Sequence, residues 1–124
     1  MQKIVLSNLG HTWILDLDGT IVKHNGYKID GDDSFLPGAK DFLANIPLDD
    51  MVIFLTSRTD DYVESTKDFL QRNGIRFDHI IFNVPYGERI LINDDKPSGL
   101  NMGIVINQKR DEQLSFIIEI NKRL

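Results

Sequence analysis

The chain contains no cysteine, which excludes disulfides, thiolate zinc sites and thiol nucleophiles. It also lacks any apolar run approaching ~18 residues, the length that a membrane-spanning helix needs, so we expect no membrane span. Residues 1–8 lack the long apolar stretch followed by a small-residue cleavage site that marks a signal peptide. We therefore predict a cytoplasmic protein.

Positive charge is also scarce. The chain has 14 Lys and Arg against 19 Asp and Glu, which gives a formal net charge of -5. Such an acidic chain is a poor partner for nucleic acid or for a membrane surface, because both favour a basic face. The negative charge does not exclude an anionic small-molecule substrate, since a bound divalent cation reverses the sign of the local field. The length of 124 residues, 41% of them hydrophobic, predicts a single domain over residues 1–124.

Short apolar runs rich in Ile and Val recur along the chain. They cover residues 12–15, 51–55, 79–82, 89–92 and 103–106, and each is followed by polar or acidic residues. Continuous apolar runs of this length indicate fully buried strands of a parallel sheet. Residues 3–6 are a further candidate strand.

Helical patterns alternate with these runs. Pro37-Gly38 predicts the start of a helix over residues 38–45. A second helix is predicted to begin at Asp60 or Asp61 and to stop at Asn73-Gly74.

A third helix, with Leu114, Ile117, Ile118 and Leu124 on one side, is predicted over residues 111–123. The alternation predicts an α/β fold, a doubly wound and mostly parallel sheet of about five strands with helices on both faces. The polar stretch 23–36 is predicted to be a loop or short hairpin over the site.

Polar residues gather where these strands end. In open α/β sheets, ligands bind beyond the carboxyl ends of the strands. The residues at that edge are Asp16, Asp18, Thr56, Ser57, Asp94 and Asp95.

Asp16 and Asp18 stand two apart directly after a buried run, so their carboxylates are predicted to converge on one face. Two close carboxylates repel each other, and a hard cation with oxygen ligands such as Mg²⁺ relieves that repulsion. A polar turn is the alternative, because Asp-Gly is a common turn sequence.

The string Asp16-Leu17-Asp18-Gly19-Thr20 after an apolar strand resembles the first motif of the haloacid dehalogenase superfamily of phosphohydrolases. Thr56, at the end of the next strand, resembles the second motif, and Asp94-Asp95 resembles the acidic fourth motif. Pro37-Gly38-Ala39 is also typical of the group. The resemblance spans residues 12–107.

The third motif of that superfamily, a Lys, matches less well. Related small phosphatases often have Lys-Pro after the third strand, where this chain has Val84-Pro85. Lys96 is our prediction for the substitute, because Asn93-Asp94-Asp95-Lys96-Pro97-Ser98-Gly99 resembles polysaccharide-associated members. Lys67, on the second helix, is the other candidate, and a solvated surface lysine is the alternative for both.

The resemblance implies a role for each site residue. Asp16 would be the nucleophile that forms an aspartyl-phosphate, and Asp18 would protonate the leaving oxygen and later deprotonate water. Thr56 would donate a hydrogen bond to a phosphoryl oxygen, and Lys96 would balance charge. The implied cofactor is Mg²⁺, held by Asp16, the backbone carbonyl of Asp18, and Asp94. Asp95 would support the metal site from outside.

Three neighbours of these motifs, Ser57, Arg58 and Gly19, are predicted to contact the substrate. Pairing of Arg58 with Asp60 or Asp61 is the alternative for that residue. Neither His11 nor His24 is assigned a catalytic role.

The gaps between the motifs are too short to hold a cap domain, so the resemblance implies a capless phosphatase with an open site. Such a site takes large substrates, or small ones that are covered by a neighbouring subunit. A homo-oligomer is therefore one of the possible assemblies. The similarity to capsule polysaccharide enzymes implies a small phosphorylated substrate such as a sugar phosphate. The alternative function is a binding or regulatory module that keeps the fold without turnover.

Overall fold

The structure, a computed structural model, describes residues 2–124. Its elements alternate between strands and short helices. In chain order they are β1 (Gln2–Leu6), β2 (Thr12–Asp16), α1 (Gly26–Ile29), α2 (Ala39–Ala44), β3 (Met51–Leu55), a 3-10 helix (Asp60–Tyr62), α3 (Val63–Arg72), β4 (His79–Ile81) and β5 (Phe116–Ile120).

The strands form two parallel sheets. One has the order β2-β3-β4, and the other pairs β1 with β5. In the larger sheet Asp16 lies opposite Leu55, so β2 and β3 end at the same edge. The predicted α/β class with parallel strands is confirmed, but the strands are divided between two sheets. They are also not fully buried as predicted, since Ile14 of β2 and Ile81 of β4 are half exposed.

The core lies against the larger sheet. Val52 and Phe54 of β3 are almost fully buried, and the chain that follows β2 buries Leu17 and Ile21 beside them. Full burial of each such side chain stabilises the fold by roughly 1.5–3 kcal/mol. This burial fixes the ends of β2 and β3, where the polar residues begin.

Helix α3 follows the sequence prediction closely. The short 3-10 helix starts at Asp60, and α3 ends at Arg72 with Asn73 as its C-cap residue. Phe69 and Leu70 face the core, as their spacing on an amphipathic helix requires. The start of α2 at Ala39, after Gly38, is likewise confirmed.

Two of the predicted strands are wrong. Residues 89–92 and 103–106 lie in a long irregular segment, residues 82–115, which joins β4 to β5. Ile90, Ile92 and Val105 are 84%, 92% and 73% exposed. An apolar run becomes a strand only when a neighbour supplies ladder hydrogen bonds, and the larger sheet ends at β4.

The helix predicted over residues 111–123 is also wrong, because this stretch contains β5. Phe116, Ile117, Ile118 and Ile120 are aromatic or β-branched residues, which favour strands over helices. They pair in parallel register with β1. The strand predicted over residues 3–6 is therefore confirmed, with β5 as its partner.

Aromatic contacts connect the two sheets across α2. Trp13 of β2 meets Phe42 with ring centroids 5.6 Å apart, and Phe42 meets Phe116 of β5 at 5.2 Å. Nearby, the Leu114 amide donates to the Pro37 carbonyl at 3.0 Å. These contacts attach the end of the irregular segment to the start of α2.

Gly38 permits that attachment. Its φ of +81° is one that residues with side chains rarely adopt, and a Cβ there would lie 2.6 Å from the Leu114 carbonyl oxygen. The glycine of the Pro37-Gly38 pair therefore serves a close backbone contact as well as the helix start.

Asp50, just before β3, is buried and holds the start of β2. Its carboxylate accepts the His11 amide at 3.0 Å and the Trp13 Nε1–H at 2.9 Å. Within residues 2–124, no helix has the length and apolar character to cross a membrane.

Candidate active site

A cleft of about 430 Å³ opens at the carboxyl edge of β2 and β3. Five residues predicted for the site from the sequence line it together. They are Asp16, Asp18, Gly19, Ser57 and Arg58. The parallel pairing of β2 with β3 is what brings the first motif beside the second.

Asp16 ends β2, and its side chain is 49% exposed. Its Oδ2 accepts a hydrogen bond from Thr20 Oγ1 at 3.3 Å, and its Oδ1 lies 3.8 Å from Arg89 Nη2. Partial burial is the main influence on the pKa of Asp16 and raises it, with the Asp18 charge adding to the rise. Arg89 and Thr20 act in the opposite direction. The result is an accessible carboxylate beside a cation.

The turn after β2 is closed by backbone contacts that require Gly19. Gly19 has a φ of +82°, and a Cβ there would lie 3.1 Å from Arg110 Cγ. Its amide donates to the Val22 carbonyl at 2.7 Å, and its carbonyl accepts the Asp111 amide at 2.8 Å. Asp111 in turn accepts the His24 amide at 2.7 Å. Gly19, which was predicted to contact the substrate, thus lines the cleft as a turn residue close to the Arg110 side chain.

Asp18 is held from two sides. Thr56 Oγ1 donates to its Oδ2 at 2.9 Å, while Arg58 Nη2 and Nε donate to its Oδ1 at 2.8 and 3.1 Å. Thr56 is fully buried, and its hydroxyl proton points at Asp18. In this structure Thr56 therefore holds the Asp18 carboxylate in place.

Arg58 is the most heavily bonded side chain of the site. Besides Asp18 it binds Asp33, with Nη2 and Nη1 donating at 2.7 and 2.9 Å, and Nη1 also donates to Thr66 at 2.9 Å. Its guanidinium carbon lies 3.9 Å from the Tyr27 ring centroid. Burial alone would lower the pKa of Arg58, but the bonds to Asp33 and Asp18 outweigh it and raise that pKa. The partners are thus Asp18 and Asp33 rather than Asp60 or Asp61.

The structure does not bring the fourth motif to the cleft. Asp94 and Asp95 are exposed in the irregular segment, outside the set of residues that line the cleft. Lys96 closes a local turn there, with its amide donating to the Leu100 carbonyl at 3.1 Å. Lys67 is exposed on α3, also outside that set. The cation beside Asp16 is Arg89, a residue near the carboxyl edge to which the sequence prediction gave no charge-balancing role.

The donor set for magnesium is smaller than predicted. Within residues 2–124, no three His, Cys, Asp or Glu side chains come together as a metal-binding group, so Asp16, Asp18 and Asp94 do not form a cluster. Of the predicted ligands, the Asp16 carboxylate and the backbone carbonyl of Asp18 are left as candidates. Mg²⁺ needs only one or two protein carboxylates when water and substrate phosphate complete its shell, so these donors fit the ion.

Cations outnumber carboxylates in the wall of the cleft. Lys28, Arg89 and Arg110 line it together with Arg58, against the two carboxylates Asp16 and Asp18. The chain as a whole is acidic, so this is a local reversal of charge. Of these cations the sequence predicted Arg58. The other three, Lys28, Arg89 and Arg110, are brought together by the topology, for which the local sequence gives no signal.

Tyrosines supply the apolar part of the wall, from Tyr27, Tyr62 and Tyr86. Tyr27 and Tyr62 meet edge to face at 4.8 Å, and Lys28 Nζ lies 5.6 Å from the Tyr27 ring centroid. Such rings offer flat surfaces to a ligand ring.

Comparisons with protein-family models, with curated proteins and with solved structures found no match to this chain. The cleft itself offers a half-exposed carboxylate, a second carboxylate fixed by Arg58 and Thr56, and a cationic wall.

Proposed function

We propose that the chain is a magnesium-dependent phosphomonoesterase of the haloacid dehalogenase type, with Asp16 as its nucleophile. The observation that carries the proposal is the position of Asp16, half exposed at the end of β2 in a cleft that four cations also line. A free carboxylate among cations suits attack on a phosphate, because the cations offset the repulsion between two anions.

In the first step a carboxylate oxygen of Asp16 attacks the phosphorus atom, and the bond from phosphorus to the ester oxygen breaks. Asp18 gives its proton to the departing oxygen, so the product leaves as an alcohol. The products of this step are the alcohol, an aspartyl-phosphate on Asp16 and a deprotonated Asp18.

In the second step water attacks the phosphorus of the aspartyl-phosphate, and the bond from phosphorus to the Asp16 oxygen breaks. Asp18 accepts a proton from that water and regains the state in which it began. Inorganic phosphate is released, and Asp16 is free to react again.

Arg89 is proposed for the charge-balancing role, in place of Lys96. Its guanidinium lies 3.8 Å from the Asp16 carboxylate and lines the same cleft as Arg110. A guanidinium can bind two phosphate oxygens at once, which a lysine ammonium cannot do with the same geometry. Ser57, also in the cleft wall, would add a hydroxyl to the phosphate site.

Magnesium would be held by the Asp16 carboxylate and the Asp18 carbonyl, which is a minimal protein donor set. When bound, the ion would neutralise charge on the transferring phosphoryl group. The protein's own part is to keep Asp16 exposed and Asp18 oriented.

The proposed substrate is a phosphorylated sugar or a similar small metabolite. The tyrosine surfaces beside Lys28 would suit a polar ring, and the open cleft needs no cap to admit it. Support for the proposed relationship to that superfamily comes from the parallel sheet of β2, β3 and β4 with α2 and α3. These elements would correspond to the part of a doubly wound fold that holds the first two motifs.

The test is hydrolysis of a panel of phosphorylated sugars and of a generic aryl phosphate, followed by phosphate release. Activity should need Mg²⁺, stop with a chelator and return when Mg²⁺ is restored. Activity that is independent of metal and of Asp16 would contradict the proposal.

The placement of Asp94 and Lys96 outside the cleft favours a second function, anion binding without turnover. Such a module would bind inorganic phosphate or a sugar phosphate in a calorimeter without releasing phosphate from any ester. Turnover that disappears in Asp16→Asn would rule this function out.

A further inference from the structure

All five N–H groups of the Arg58 side chain are used within the protein. Nε and one N–H of Nη2 donate to Asp18, the other N–H of Nη2 and one of Nη1 donate to Asp33, and the last donates to Thr66. A guanidinium has five such donors, so the set is complete. Arg58 therefore has none left for a substrate, and its function lies in the contacts that it makes.

Asp33 binds the Nη1–Nη2 edge of the Arg58 guanidinium, next to the Nε–Nη2 edge that binds Asp18. Its side chain is 6% exposed and that of Arg58 is 2% exposed, whereas that of Asp18 is 17% exposed where it meets the cleft. Both Asp33 oxygens accept from Arg58, in the parallel two-bond geometry that fixes a guanidinium in orientation as well as position.

We propose that Asp33 is a positioning residue, which acts through Arg58 to hold the Asp18 carboxyl in the orientation needed for proton transfer. The inference rests on the proposed function for its catalytic consequence, but the contact itself does not depend on that function. The loop before α2, which contains Asp33, would then stabilise the position of Asp18 in the cleft.

The orientation of the Asp18 carboxyl depends on Arg58, which Asp18 and Asp33 share. Asn at position 33 would offer one acceptor oxygen, and its amide N–H₂ would face an Arg58 N–H that needs an acceptor. A buried donor without a partner is costly, so Arg58 would shift towards other acceptors and the Asp18 carboxyl would turn with it. The effect should fall on the step in which Asp18 moves a proton.

Leaving-group chemistry isolates that step. An alkyl phosphate releases a strongly basic alkoxide and needs proton donation from Asp18, whereas a nitrophenyl phosphate releases a stable anion and does not. Loss of positioning at Asp18 should therefore lower kcat for the alkyl ester much more than for the nitrophenyl ester. General damage to the fold would lower both alike.

The experiment compares Asp33→Asn with Asp32→Asn and Asp33→Glu in the full chain with Mg²⁺. Asp32 is a matched control, because it pairs with Arg72 at the surface and its side chain is 62% exposed. Asp33→Asn should lower kcat for an alkyl phosphate by roughly 10–10²-fold, part of what general acid catalysis supplies, and for the nitrophenyl ester by less than about threefold. KM should change little, Asp32→Asn should match wild type, and Asp33→Glu should recover part of the loss.

A second measurement follows exchange of the Arg58 Nη protons, the ones that bind Asp33, with water by ¹⁵N NMR, with the signals assigned from their absence in Arg58→Lys. Exchange should be slow in wild type and in Asp32→Asn and clearly faster in Asp33→Asn.

Equal losses on both esters, or unchanged exchange in Asp33→Asn, would overturn the proposal. If wild type hydrolyses neither ester, the proposed function fails, and the exchange measurement still decides whether Asp33 holds Arg58.

Discussion

Two stretches of this chain place an acidic pair directly after an apolar run, and the structure treats them differently. Asp16 and Asp18 follow β2 and line a cleft, whereas Asp94 and Asp95 follow residues 89–92 and are exposed in an irregular segment. Their local sequences are similar in character. The difference lies in whether the run before them has a strand to pair with.

β2 pairs with β3 over its whole length, from Thr12 opposite Met51 to Asp16 opposite Leu55. That ladder fixes where the carboxylates after β2 lie relative to Thr56 and Arg58. Ile90 and Ile92 are exposed, so nothing comparable fixes Asp94. An acidic motif thus becomes a site only through the pairing of the strand that carries it.

The largest expected effect comes from replacing one acid by its amide in each region. Asp16→Asn should lower kcat/KM for a phosphate ester by about 10³-fold or more, because the amide keeps the shape and loses the nucleophile. Asp94→Asn should stay within about threefold of wild type, because Asp94 lies outside the cleft. Equal losses in the two variants would show that the irregular segment belongs to the proposed active site.

A smaller effect is expected at the cation beside Asp16. Arg89→Gln should lower kcat by roughly 10²-fold, the usual cost of one transition-state donor. Lys96→Gln, a charge-matched control from the same irregular segment, should change kcat by less than about twofold. A loss at Lys96 that exceeds the loss at Arg89 would restore the original prediction for the lysine. Both rates come from steady-state phosphate release.

The attachment of the irregular segment to α2 can be broken at Gly38. Gly38→Ala should lower the free energy of unfolding by roughly 2–3 kcal/mol, because it combines a positive φ with a Cβ 2.6 Å from the Leu114 carbonyl. Gly31→Ala is the control, since Gly31 has a φ of +84° but nothing within 4 Å of its Cβ, and it should cost only about 1 kcal/mol. Urea unfolding curves give both values. Equal costs would mean that the Leu114 contact adds nothing.

The smallest effect concerns folding and pH. The folded state raises the pKa of Asp16 above its ordinary value of 3.8, so it favours the protonated form. The stability this gives is complete below pH 3.8 and is lost as pH rises through the raised pKa. In metal-free protein Asp16→Asn should therefore be more stable than wild type at pH 7, by less than about 1 kcal/mol because solvent screens a half-exposed charge.

Thermal unfolding with a chelator present measures that difference at a series of pH values. It should close in acid, where Asp16 is protonated in both states. A gap that persists or grows at low pH would contradict the assigned direction of the pKa shift.

Local signals predicted β2, β3 and β4 and the helices α2 and α3, but not α1, which lies in the stretch 23–36 that was predicted to be a loop or hairpin. The runs that became β2, β3 and β4 pack against the core, and Asn73-Gly74 marks the end of α3 as the sequence indicated. The pattern of each of these elements is set by residues close together in the chain, and the three strands also find partners in one sheet. The convergence of Asp16, Asp18 and Thr56 followed from the rule that parallel strands end at one edge.

The features that failed depend on distant partners. The pattern over residues 111–123 fits a helix as well as a strand, and only pairing with β1 selects the strand. The pairings of Arg58 with Asp33 and of Arg89 with Asp16 join residues far apart in sequence, for which no local signal exists. Which charged residues lie at a site is therefore easier to predict from sequence than which of them form ion pairs.

The chain has one tryptophan, and its surroundings make it an optical reporter. Trp13 lies in β2 with its indole N–H bonded to the buried Asp50, and its ring is the first in the aromatic series that runs through Phe42 to Phe116 of the other sheet. Indole emission depends on the polarity around the ring and on its hydrogen bond. Separation of the two sheets would expose that ring to water. The fluorescence of Trp13 therefore reports whether the two sheets remain in contact.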